Sequence, residues 1–214
     1  MPKENVLEAI LAARAIAVIR MKDAGRLAAT AAALRKGGVM AIEITMTVPG
    51  AVEIIRELAA TKVPGTLIGA GTVLDAAQAA EVIAAGADFV VSPITDFGML
   101  EVCREAGVLA APGAFTPTEI VTAWRAGADI VKVFPATSLG PRFFRDLRGP
   151  LPQVRIMPTG GVTLENARDF LAAGACCVGI GTALVDAKLV AAGDWEALET
   201  RARVLTASLD AVGR

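Results

Sequence analysis

The sequence predicts an α/β protein folded as a (β/α)8 barrel with an extra N-terminal helix, in one domain over residues 1–214. Three observations lead there. Eight short apolar, β-branched runs recur, each followed by an Ala/Leu-rich stretch. Their starts lie about 20–26 residues apart, room for one strand, one helix and two loops each time. The runs are almost continuously apolar, as strands are when both faces of a parallel sheet are covered. Eight βα units in one domain favour a barrel. An open doubly wound sheet is the runner-up, and the first βα turn lacks its GxGxxG loop.

A helix over about Glu4–Arg14 precedes the first run, Ala15–Arg20. The next runs are Met40–Thr45, Thr66–Val73 and Asp88–Pro93. Val108–Ala114, Asp129–Pro135, Val154–Gly160 and Cys176–Gly181 complete the eight, and a last helix covers about Trp195–Ala211. A weak repeat marks the helix-to-strand turns: Gly86-Ala87-Asp88, Gly127-Ala128-Asp129 and Gly174-Ala175-Cys176. In each, glycine is expected to supply the left-handed residue after a helix, and a buried strand follows. Gly37-Gly38 and Gly107 read the same way. Thr116-Pro117-Thr118-Glu119 and Thr163-Leu164-Glu165 read as helix starts, the first as a capping box with proline at the first helical position.

Composition narrows the chemistry. Hydrophobic residues make 54% of the chain, and the 21 glycines raise that to about 64%, above the ~45–50% usual on a similar count. A large core follows and global disorder does not. The 21 basic and 22 acidic side chains nearly cancel, which argues against a partner held by bulk charge: no nucleic acid and no membrane surface. With no histidine, Ser-His-Asp and Cys-His nucleophile systems and His-ligated zinc drop out. The expectation is no metal and no cofactor. Cys103, Cys176 and Cys177 lack a disulfide or metal spacing and read as small buried hydrophobes. MPKENVLEAI carries acidic residues and no long apolar core, so a cytoplasmic protein is expected.

Barrel sites sit at the C-terminal ends of the strands, so polar residues there carry the argument. Lys132 lies inside the sixth run, Asp129–Pro135. Burying an ammonium there is costly unless it is paired or neutral, and the same burial makes a nucleophilic amine. Glu43 is its natural partner, a charge inside Met40–Thr45 on the same strand face as Ala41 and Thr45. A purely structural ion pair is the competing reading. Arg20 closes the first run and is suited to forking onto a carboxylate or phosphate. Gly69-Ala70-Gly71 allows close approach of a substrate to backbone, and Thr72 offers a hydroxyl; a bulged turn is the alternative. Thr159-Gly160-Gly161 and Gly181-Thr182 end the seventh and eighth runs, where barrels often hold phosphate. Phe134 walls the site. Pro93 and Pro112-Gly113 read first as structural, with Pro93 kept among the substrate-contacting candidates.

The segments GGVMAIEITMTVPGA, LIGAGTV, FVVSP, PGAFTPTE, VKVFPA, GPLPQVRIMPTGG and CCVGIGTALV together resemble the 2-keto-3-deoxy-6-phosphogluconate (KDPG) / 4-hydroxy-2-oxoglutarate (KHG) aldolases. The resemblance runs from about Val6 to about Val185. It implies a metal-free class I aldolase, forming a Schiff base on a phosphorylated keto acid, with a barrel fold and a homotrimeric assembly. By matching position it implies Lys132 as the Schiff-base lysine and Glu43 as the catalytic glutamate. Thr72 matches the threonine near the pyruvyl carboxylate; Thr159, Gly160 and Gly161 match the PTGG turn; Gly181 and Thr182 match the phosphate segment. Some members carry an arginine four residues after the glutamate, where Thr47 stands here. Arg20 is therefore expected to hold the carboxylate with Thr72. The galactonate analogue of KDPG, a phosphosugar isomerase or synthase, and an assembly subunit derived from such an aldolase are the alternatives.

Overall fold

The computed structural model describes residues 1–213. It opens with helix α1 (Lys3–Ala13) and strand β1 (Ala15–Ile19), then α2 (Leu27–Lys36), β2 (Ala41–Thr45), α3 (Ala51–Thr61) and β3 (Leu67–Gly71). The alternation continues through α4 (Ala76–Ala84), β4 (Phe89–Val91), α5 (Phe97–Ala106), β5 (Leu109–Ala111), β6 (Gly113–Ala114) and α6 (Pro117–Arg125). It closes with β7 (Val131–Val133), α7 (Gly140–Arg148), β8 (Ile156–Pro158), α8 (Ala167–Ala172), β9 (Val178–Ile180), α9 (Ala187–Ala192) and α10 (Trp195–Asp210).

Every strand pairing is parallel. One curled sheet has the order β5-β4-β3-β2-β1-β9, and a second has the order β6-β7-β8. The eight expected strands become nine because the fifth divides at Pro112, which has no N–H to give a neighbour. Its carbonyl still accepts from Lys132 N at 2.8 Å. Beyond it the Gly113 N–H turns to Ile94 O at 3.0 Å. Gly113 is required there, since a Cβ would overlap the Pro93 backbone.

Local signals account for the helix ends. Asp75, Asp96 and Asp194 cap α4, α5 and α10 through backbone N–H groups two or three residues into each helix. Thr116 and Glu119 form the expected capping box of α6. Thr163 differs from expectation. It bonds Asn166 reciprocally in a turn, and regular helix begins only at Ala167. Gly86, Gly127 and Gly174 all take φ between 96° and 98°, which bends the chain from helix into strand without Cβ strain.

Two apolar clusters sandwich the strands. The larger packs the helices on the outer face. The smaller takes Ile16, Ala41, Leu67, Phe89, Leu109 and Met157 from the inner face, and Val6 and Ile10 of α1 join it. Two ion pairs pin the strand starts. Lys62 holds Asp88 at 2.6 and 2.7 Å while Asp88 also accepts from Ile68 N at 2.9 Å. Lys3 lies 3.0 Å from Asp129, which accepts from Ala110 N. Cys103 and Cys177 are buried and Cys176 is half-buried; burial pushes the Cys103 thiol up to about 12. Among the described residues no helix is long and apolar enough to cross a membrane.

Candidate active site

The strand periodicity sets the centre of the site. In β2, Glu43 pairs in register with Val18 on one side and Gly69 on the other. Its side chain falls on the inner face and is 1% exposed. Neither carboxylate oxygen has a hydrogen-bond partner in the protein. Gly71 makes the space it occupies, since a Cβ there would overlap the carboxylate. Gly69 likewise makes room for the Phe89 ring. These two glycines therefore serve side-chain packing.

Lys132 sits in the middle of β7, paired in register with Gly113 and Met157, and is 5% exposed. Its Nζ lies 5.2 Å from the centre of the Phe134 ring, a cation–π distance. Among the described residues it has no carboxylate within 4.0 Å, so the expected Glu43–Lys132 partnership is not a direct ion pair. The two groups act on each other through space. Burial lowers the Lys132 pKa; Glu43 opposes this and Arg20 adds to it. Burial raises the Glu43 pKa, against the pull of Lys132 and Arg20. Both directions favour neutral forms. An amine whose burial favours its free-base form and an acid whose burial favours its protonated form, both on the inner side of the strands, suit nucleophilic attack and proton transfer.

The remaining candidates divide between two cavities and a strained turn. A cavity of about 160 Å³ is lined by Arg20, Phe134, Thr159, Gly160, Gly161, Gly181 and Thr182, with Val18, Val162 and Val185. Gly160 and Gly161 have φ of 82° and 74°, two successive left-handed residues that glycine adopts freely. At Gly161 a Cβ would also lie 2.7 Å from Thr137 Cα. Thr159 pairs with Gly179 across an isolated parallel bridge, and its buried hydroxyl has no partner in the protein. Thr72 does not line this cavity. The structure thus groups Arg20 with the two glycine turns rather than with Thr72. Sequence order alone hides this, because β1 adjoins both β2 and β9.

Thr72 follows β3 with φ 58°, a left-handed conformation that crowds a β-branched side chain. Strand register places Gly71 beside Thr45, whose hydroxyl lies 2.9 Å from that of Thr47. Pro93 lies apart from the Arg20 cavity. It lines a separate space of about 410 Å³ with Ile94, Phe97, Gly113 and Phe115. Phe134 borders both spaces. Sequence reasoning missed Val18, Val162 and Val185, which carry no chemical signal, and the Thr45–Thr47 pair, whose i, i+2 spacing was the available clue. No three His, Cys, Asp or Glu side chains cluster as a metal site among the described residues.

Comparison with known proteins adds an independent line. A model of the KDPG and KHG aldolase family matches residues 6–201. The chain is 38% identical over 193 residues to the 2-dehydro-3-deoxy-phosphogluconate aldolase of Pseudomonas aeruginosa, covering 89% of this chain and 87% of that one. It is 37% identical over 190 residues to the KHG/KDPG aldolase of Escherichia coli K12, covering 88% of each. A solved KDPG aldolase from Legionella pneumophila, with pyruvate captured as a covalent carbinolamine intermediate, superposes with a TM-score of 0.82 at 30% identity. That superposition covers 97% of this chain and 98% of that one.

Proposed function

The chain belongs to the KDPG and KHG aldolase family, and from that premise we propose how its own residues perform class I aldol cleavage of KDPG. One observation carries the reading: a buried lysine and a buried, unpartnered glutamate influence each other through space on the inner side of the strands, without an ion pair to hold either one charged. A purely structural pair has no reason to leave both carboxylate oxygens unsatisfied, since that costs about 1–3 kcal/mol per group.

Neutral Lys132 attacks the C2 ketone, and the carbinolamine loses water to form an iminium. Glu43 exchanges the protons of these steps, directly or through a water. Cleavage of C3–C4 sends the bonding pair into the enamine, while the C4 hydroxyl proton passes to Glu43. Glyceraldehyde 3-phosphate departs, C3 is protonated, and hydrolysis of the imine returns pyruvate and free Lys132. The Thr159–Gly161 and Gly181–Thr182 turns hold the distal phosphate through backbone N–H groups and hydroxyls. Arg20, in the same cavity as these turns, serves this distal end. Thr72, one residue beyond the Gly71 that pairs with Thr45, receives the pyruvyl carboxylate. Phe134 covers the amine, and Pro93 borders the neighbouring space. KHG, which lacks the phosphate, is the second substrate; it forgoes the Arg20 contact and is cleaved more slowly.

We read the two sheets as one eight-stranded barrel in a single domain. The Thr159–Gly179 bridge supports closure on one side, and chain continuity through Pro112 supports it on the other. The homotrimer stays part of the proposal. Exposed Ile94, Phe97 and Phe115 offer apolar surface for it, and native mass spectrometry counts the copies.

Borohydride trapping tests the central claim. The protein is incubated with pyruvate, reduced and digested, and the adduct is located by mass spectrometry. A pyruvyl adduct on Lys132 alone is expected. Its absence in folded protein overturns the mechanism.

A further inference from the structure

A cavity of about 510 Å³ opens beside the mouth and shares Arg20, Thr182 and Val185 with it. Small-molecule sites usually span ~300–1,000 Å³. The adjoining cavity falls in that range, whereas the 160 Å³ cavity beside it does not. Its walls differ in chemistry. Val185 and Val190, with exposed Ala191, form an apolar floor. The loop after β1 supplies Arg20, Lys22 and Arg26. Arg26 is already engaged: it pairs with Asp23 at 3.1 Å and donates to Val190 O at 2.9 Å. That pair also neutralises the one carboxylate of the lining. Arg20 and Lys22 have no ion-pair partner among the described residues. Two uncommitted cations therefore border an apolar floor.

We propose that this cavity binds an amphipathic organic anion, its phosphate between Arg20 and Lys22 and its apolar body on Val185, Val190 and Ala191. A fork from Arg20 with a point charge from Lys22 suits a phosphate dianion. Because Arg20 lines both cavities, the ligand withdraws that guanidinium from the distal end of the substrate and inhibits competitively. This consequence rests on the aldolase reading; the binding itself does not.

The test is calorimetric titration of the whole protein with 1-naphthyl phosphate, and separately with inorganic phosphate. The variants are Lys22→Glu and Ala191→Trp. Both residues are exposed and lie outside β2 and β7, which carry Glu43 and Lys132, so folding and pyruvate trapping at Lys132 are expected to persist. One saturable site is expected, weakened about tenfold or more by each substitution. Inorganic phosphate is expected to bind about tenfold or more weaker, since it cannot use the apolar floor. No saturable binding overturns the proposal. So does binding that neither variant weakens, which places the ligand in the mouth instead, or equal affinity for inorganic phosphate. Loss of pyruvate trapping in the unsubstituted protein, with naphthyl phosphate binding intact, counts against the aldolase reading alone.

Discussion

The two ends of the strands use the same residue types in opposite ways. At the strand starts, Asp88 faces Lys62 at hydrogen-bond distance and also accepts the Ile68 N–H. Asp129 does the same with Lys3 and the Ala110 N–H. On the inner face nearer the mouth, Glu43 and Lys132 are more deeply buried, yet they neither touch nor find other polar partners for the carboxylate. A satisfied pair fixes two charges and contributes to the fold. A separated pair leaves both groups tending to neutrality and available to a third molecule. Burial of a lysine is thus a poor guide to its role; what its neighbours leave unsatisfied is a better one.

Exchanging the two kinds of lysine gives the largest contrast. Lys132→Ala is expected to lower kcat by at least about 10⁴-fold, as removal of a covalent nucleophile does, and to abolish borohydride trapping. Its thermal midpoint is expected to stay near or above that of the unsubstituted protein, because an amine buried without an ion pair is gone. Lys62→Ala is expected to leave kcat unchanged while lowering stability. A Lys62→Ala protein with lost activity and unchanged stability would erase the distinction.

Asp88→Ala sharpens the structural side. It removes both the ion pair and the acceptor of the Ile68 N–H. A loss of about 2–3 kcal/mol in denaturant unfolding is expected, toward the low end for a buried pair because Lys62 is 28% exposed. The kcat of the remaining folded protein should match the parent. An unfolding free energy within about 0.5 kcal/mol of the parent would show that the base pair is ornamental.

Much of this contrast is legible in the sequence. Lys132 and Glu43 announce themselves as charges inside apolar runs, and the helix–Gly–strand turns announce the order of elements. Three features are not legible there, each for a physical reason. The Pro112 break depends on which neighbour its missing N–H would have met. The grouping of Arg20 with the glycine turns depends on β1 lying beside β9 in the sheet. The placement of the Glu43 carboxylate depends on Gly71, whose missing Cβ leaves the space it occupies.

Arg20→Ala probes the electrostatic link between the mouth and the buried Glu43 and Lys132. Loss of a charged hydrogen bond predicts a KM for KDPG raised about tenfold or more, with little change for KHG. The pH dependence follows from sign. Burial holds the Lys132 pKa below its ordinary value near 10.5, and the positive charge of Arg20 adds a smaller push in the same direction. Removing Arg20 raises that pKa. The pH midpoint of imine formation with pyruvate therefore shifts to the alkaline side. An unchanged midpoint would remove Arg20 from the electrostatics of the amine.

Thr72→Gly carries the smallest expected loss and separates strain from function at one residue. A β-branched residue at φ 58° costs about 1–3 kcal/mol. Glycine relieves that strain but gives back about 0.5–1 kcal/mol through the freer unfolded chain. The net expectation is a stability unchanged or raised by up to about 2.5 kcal/mol, measured by urea unfolding. The hydroxyl goes with the strain, so the KM for KDPG and KHG should rise together, because both carry the same pyruvyl carboxylate. That parallel rise distinguishes Thr72 from Arg20, whose effect falls on the phosphorylated substrate. A destabilised Thr72→Gly protein with both KM values intact would make the left-handed turn a feature of the fold alone. A stable protein with both raised would place strain where the substrate, not the core, requires it.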